Sequence, residues 1–230
     1  MSSSAQWLAS LVTLLVLAAY ELRLAFAQRR SPGALARTAH ASLREDWFVA
    51  VSAHRGSELL AVQTLRNSLM SATMTASTAV LGLMGTVTLA AQSLHGIVGI
   101  VGIVSNEGSP LPHLTTRFVL ELVLLALLFA SLMSSAMAIR YFNHLGFIGG
   151  MPVDSDGRKR WAATGRSYAR KAGLLYAWGL RQLLLVAPIL AAMIHPFAGP
   201  AAAVVLVAVL FKFDQVPQVP QETQEGSRSN

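Results

Sequence analysis

The sequence predicts an all-α fold, an integral membrane bundle of about four transmembrane helices. Three observations predict it. Of 230 residues, 53% are hydrophobic and only 13% are charged, a composition of apolar spans joined by short polar connections. Uninterrupted apolar runs recur along the chain, each long enough to cross about 30 Å of hydrocarbon. The net charge of +7 is concentrated as arginine beside those runs, the pattern of cytoplasmic loops facing anionic lipid. That placement argues against nucleic acid as a partner. With 0 cysteines, the chain has no disulfides, thiolate metal sites or iron–sulfur clusters. It reads as one helical membrane domain over residues 1–214, followed by a polar tail, residues 215–230, flexible or extended.

Residues 6–27 form the first apolar segment. Ala25-Phe26-Ala27 resembles a signal-peptidase site. However, nothing before Trp7 is basic, and Glu21 and Arg23 fall between the apolar run and that site, so a retained helix with its N-terminus outside is expected. Ser31-Pro32-Gly33 ends this helix. From about Ala39 an amphipathic pattern begins, with Leu43, Trp47 and Val51 at i, i+4 and i+8. It predicts a cytoplasmic helix lying on the membrane or against the bundle and continuous with the second span.

The second span occupies residues 59–91. Gln63, Arg66 and Asn67 share one face at its start, and no charge or proline follows from Asn67 to Ala91. Ala72, Ala76, Ala79, Gly82, Gly85 and Thr86 make a ridge of small residues, suited either to an oligomer interface or to packing within one subunit. Residues 92–116, with glycine at every third position from Gly96 to Gly102, read as an apolar loop or re-entrant segment on the outer face, where Glu107 is the single charge. The third span runs from about Thr116 to Tyr141. Near its outer end Arg117 and Glu121 lie four apart and can pair across one turn.

Residues 149–171 are again basic, and the positive-inside rule places them in the cytoplasm with the segment before the second span. In the last apolar stretch, residues 172–213, Pro188, Pro196 and Pro200 allow two readings. One is a single kinked helix from about Arg181 to Phe211, ending outside. The other is a hairpin turning at residues 195–200, with the tail inside. The second arm is short for a crossing, which favours the single span.

Several stretches carry a resemblance: residues 43–47 (LREDW), 61–73 (AVQTLRNSLMSAT), 139–152 (IRYFNHLGFIGGMP), 176–181 (YAWGLR), 187–200 (APILAAMIHPFAGP) and 209–214 (VLFKFD). Together they resemble a family of small integral membrane proteins of bacteria and plants, known only as a domain of unknown function. The V-Q-T-L-R-N-S and G-L-R…P…G-P runs are its marks. The resemblance implies about four membrane helices and transfers no activity, ligand or catalytic residue. The chain departs from the family after Gly179-Leu180-Arg181, where relatives usually continue with aromatic residues and this sequence has Gln182-Leu183-Leu184-Leu185.

The topology places polar groups from every helix at one depth. Arg23, Arg66, Asn67, Arg140, His144 and Arg181 are thereby expected to form one site for anionic lipid or a small anion. Ordinary snorkelling and capping account for the same residues equally well. Glu21 and Glu121 are the ionisable residues inside spans. His195, beside Pro196, is the candidate axial ligand if haem or a metal is held, although no cofactor is expected. Phosphate-binding loops, nucleophile elbows and zinc-protease motifs are missing. The expectation is a non-enzymatic, homo-oligomeric or accessory membrane protein of the bacterial plasma membrane, binding anionic lipid or a protein partner. The alternatives are an oligomeric channel or carrier for ions or small anions, and a haem-binding subunit.

Overall fold

The structure, a computed structural model, describes residues 3–30, 36–104 and 115–214; at residues 3, 28–30, 36–38 and 92–104 it describes backbone alone. Glu107, the Ser31-Pro32-Gly33 break and the 215–230 tail lie outside the described residues. The described elements are helices throughout: α1 (Ser3–Arg30), α2 (Ala36–Ala53), α3 (Glu58–Val104), α4 (Thr116–Gly150), α5 (Asp156–Ile194) and α6 (Ala198–Asp214). Four of them, α1, α3, α4 and α5, are long and apolar enough to cross a membrane.

The helix ends follow from capping chemistry. Thr115 accepts from the Phe118 N–H to open α4, and Ser155 accepts from the Arg158 N–H to open α5. Between α2 and α3 the backbone breaks at Gly56, whose φ of 82° is left-handed, a conformation glycine adopts without steric cost. The Ser57 hydroxyl donates back to the Val51 and His54 carbonyls, tying off the end of α2. The amphipathic helix and the second span are therefore two helices, not one continuous rod. The C-terminal end of the second span differs too. α3 continues to Val104, so residues 92–104 are helical backbone and not a loop; Gly96, Gly99 and Gly102 cost helix propensity without stopping it.

The last apolar stretch is a hairpin, which overturns the single kinked span. α5 runs unbroken through Pro188 and stops at His195, whose extended backbone (φ −146°, ψ 123°) is the conformation favoured before a proline. α6 then returns with Pro200 in its first turn, where a missing N–H costs nothing. Its 17 residues cover about 25 Å, most of the way back across.

α3, α4 and α5 form an antiparallel stack. α1 and α6 flank the half that holds the start of α4, and α2 lies along the first half of α5. Two cores result. Leu17, Leu120, Leu124, Leu128, Leu185, Ile189, Ala192 and Ala203 fill one among α1, α4, α5 and α6. Phe48, Leu65, Phe142, Leu145, Ile148 and Ala169 anchor the other among α2, α3, α4 and α5. The small-residue ridge serves this packing: Ala72 and Ala79 are fully buried, and a side chain at Gly82 would press on Leu128 at 2.9 Å. The ridge is thus largely occupied within the subunit.

Candidate functional site

The face of α2 that docks is shifted by part of a turn from the one its spacing suggested: Val51 is shared and Trp47 packs at its edge, but Leu43 is left out. Phe48 is 2% exposed, with Ala41 and Val51 beside it, whereas Leu43 is 64% exposed. Phe48 packs where Gly165 of α5 leaves no side chain, and a Cβ at that position would collide with its ring. Arg158 closes the same contact. It is 2% exposed, stacks over the Phe48 ring at 4.9 Å, and donates to the Ile148 carbonyl and, at 2.8 Å, to the Ser52 hydroxyl. The Val153 N–H donates to Glu58 at 3.1 Å, fixing the α4–α5 connection to the start of α3.

Held in this way, α2 roofs a cavity of about 290 Å³ between itself, α3, α4 and α5. Leu43, Arg44 and Trp47 line it from α2, and Thr64, Leu65 and Ser68 from α3. Phe142 and Leu145 contribute from α4, and Ala169 from α5. The walls are mostly apolar, with one cation and two hydroxyls, the usual composition of a site for an amphiphile. Arg44 supplies the cation. Its guanidinium lies against Gly173, where a Cβ would collide with it, so the glycine creates the room. Partial burial lowers Arg44 from its ordinary value, and the nearby Tyr176 opposes that shift; a guanidinium keeps its charge regardless. No carboxylate among the described residues pairs with Arg44; the neighbouring Glu45 pairs with Arg170 at 3.5 Å.

The arginine site expected from the sequence does not assemble as one network. Arg181 is buried near the ends of α1 and α6. It donates to Asp214 at 2.6 and 2.8 Å and to the Tyr20 hydroxyl at 3.2 Å, with Glu21 at 3.9 Å. Tyr20 in turn donates to Asp214 at 2.5 Å. Arg181 is thereby neutralised by its own protein, and its anion is Asp214. Arg23 stacks on the Phe211 ring of α6 at 4.6 Å. Arg66, Asn67, Arg140 and His144 lie on exposed helix faces, and none of them makes an ion pair among the described residues. The physical reason is helix phase: each residue turns about 100° around its helix, so side chains at one depth on different spans need not face one another. Thr64 and Ser68 face the cavity from the same run in which Arg66 and Asn67 face away.

At the opposite end, Glu121 is 0% exposed and accepts from Arg117 Nε at 3.1 Å, as the four-residue spacing predicted. His195 is exposed at the α5–α6 turn, with the Phe197 ring at 5.9 Å. No group of three or more potential metal ligands occurs among the described residues.

Four helices able to span a bilayer, with a shorter one returning along them and an amphipathic helix packed at one end, define a small multi-pass membrane protein. The chain belongs to the family described as Protein of unknown function, DUF599, which matches residues 8–219. No curated protein and no solved structure matches the chain. Three of the stretches that carried the resemblance in the sequence, residues 43–47, 61–73 and 139–152, meet in the walls of the cavity.

Proposed function

We propose that the protein is a non-enzymatic component of the bacterial plasma membrane that holds a lipid in the cavity under α2. The observation that carries this reading is the cavity itself, an apolar space of about 290 Å³ rimmed by Trp47, Arg44 and two hydroxyls in a chain that lives in lipid. A lipid is the solute at highest local concentration there. Tryptophan at a lipid–water boundary and arginine near headgroups are favourable on both counts.

The basic residues of the α2–α3 turn and of the α4–α5 connection lie at the same end of the bundle, joined by Arg55 pairing with Asp154. This supports a cytoplasmic location for α2 and an outside N-terminus. Self-association, where it occurs, uses faces other than the small-residue ridge.

The test is to fill the cavity. Ser68→Phe inserts a ring from α3 without touching the α2–α5 contact. Native mass spectrometry of the detergent-purified protein is expected to show about tenfold weaker lipid retention, roughly 1.4 kcal/mol, with an unchanged unfolding temperature. Undiminished retention in the filled variant would reject the cavity as a lipid site.

A further inference from the structure

The cavity has one charge, and its sign selects a ligand. We infer that the occupant is a phospholipid of net negative charge, with a phosphate oxygen on the Arg44 guanidinium and one acyl chain in the apolar space. This deepens the lipid-binding reading and rests on it.

Four observations carry the inference. First, among the described residues Arg44 is the only charged one that lines the cavity, and no carboxylate neutralises it. An arginine held beside apolar walls without a counter-ion is a strong recruiter of a phosphate, because charge-assisted hydrogen bonds gain strength where water is scarce. Second, the guanidinium is held in place. Gly173 provides the groove it lies in, where no side chain displaces it. Third, Thr64 and Ser68 line the same space from α3 one turn apart. The Ser68 hydroxyl donates to the Thr64 carbonyl at 3.2 Å, which leaves its oxygen lone pairs for a donor from the headgroup. Fourth, the volume limits the occupant. At about 290 Å³ the space takes part of a single acyl chain. The second chain stays in the bilayer.

The other arginines do not compete for this role. Arg181 is already bonded to Asp214, and Arg158 lies against Phe48 and the Ile148 carbonyl. Arg66 and Arg140 face away from the bundle.

Trp47 lines the cavity and reports on it directly. The full-length chain carrying Trp7→Phe, Trp161→Phe and Trp178→Phe keeps Trp47 as its only indole and is reconstituted in bilayers of mixed lipid. Phosphatidylglycerol or phosphatidylcholine with brominated acyl chains is then titrated in, since bromine quenches tryptophan on contact. The expected result is that half-maximal quenching needs about tenfold less brominated phosphatidylglycerol than phosphatidylcholine, a preference abolished by Arg44→Gln. Brominated fatty acid at the same mole fraction is expected to quench more weakly than phosphatidylglycerol. Equal quenching by the two phospholipids in the presence of Arg44 overturns the headgroup assignment while leaving a lipid in the cavity. Stronger quenching by fatty acid than by phosphatidylglycerol replaces phosphate by carboxylate and overturns it too. If no brominated lipid quenches Trp47, the lipid-binding reading itself fails. Circular dichroism and unfolding temperature, unchanged in Arg44→Gln, separate a lost contact from a lost fold.

Discussion

Replacing Arg181 by methionine is expected to destabilise the protein by about 3–5 kcal/mol, the cost of leaving a buried charge without its partner. Asp214 is 19% exposed and accepts from that guanidinium with both of its carboxylate oxygens, so the variant leaves it only the Tyr20 hydroxyl. The bond joins the end of α6 to the middle of α5 across 33 residues, and no other ion pair among the described residues holds α6. Thermal unfolding in detergent checks the size of the loss. Removing both charges with Arg181→Met and Asp214→Asn is expected to cost less than the two single changes added together, by about 1–3 kcal/mol of coupling. An Arg181→Met protein that melts at the wild-type temperature would show that the charges coexist there without stabilising the hairpin.

The second large effect is expected at Gly179, two residues before that arginine. A Cβ at this position would sit 2.5 Å from the Ser135 hydroxyl, 3.2 Å from the Ser131 carbonyl and 3.3 Å from the Ser135 N–H. The same approach lets the Ser131 hydroxyl donate to the Gly179 carbonyl at 2.7 Å. Gly179→Ala therefore forces α5 away from α4 and strains a buried hydrogen bond, an overpacking cost of about 1–3 kcal/mol. The Ser135 hydroxyl has no hydrogen-bond partner among the described residues, so Ser135→Ala is expected to be nearly silent alone and to relieve part of the Gly179→Ala loss. The backbone contacts at 3.2 and 3.3 Å prevent complete rescue. Melting temperatures of the two single variants and the pair decide it; a Gly179→Ala protein as stable as wild type would mean that α4 and α5 can part without cost.

The spans themselves were legible because their signal is a sum over twenty or more residues, and no single side chain has to be placed correctly. The Arg117–Glu121 pair was legible for a related reason: spacing inside one helix fixes the neighbour. The candidate site was not, because it depends on which side of each helix faces which partner. In the run Thr64-Leu65-Arg66-Asn67-Ser68 the charged residue attracts notice, yet the cavity takes its flanking neighbours. On α2, Leu43, Trp47 and Val51 fit a helical stripe, but the docked face is centred on Phe48, because Gly165 on a helix more than a hundred residues away makes room for that ring. In the sequence Arg158 is one basic residue among many in the 149–171 segment, yet it carries the α2 contact. A one-dimensional pattern does not contain those pairings.

The turn at residues 195–197 was readable in a different sense. His195-Pro196 and the proline soon after it mark a reversal, but the short arm that follows argued against a return. Asp214 resolves the conflict: an arm of 17 residues is held by a charge pair at its far end, so length alone does not decide whether it stays.

That return has a consequence for experiments on living cells. α6 runs in the same direction as α1, with Gly199 near Thr13 at one end and Phe211 near Arg23 at the other. A tag joined before Ser3 and a tag inserted after Asp214 are therefore expected on opposite sides of the membrane. A membrane-impermeant reagent should reach one in intact cells and the other only after lysis.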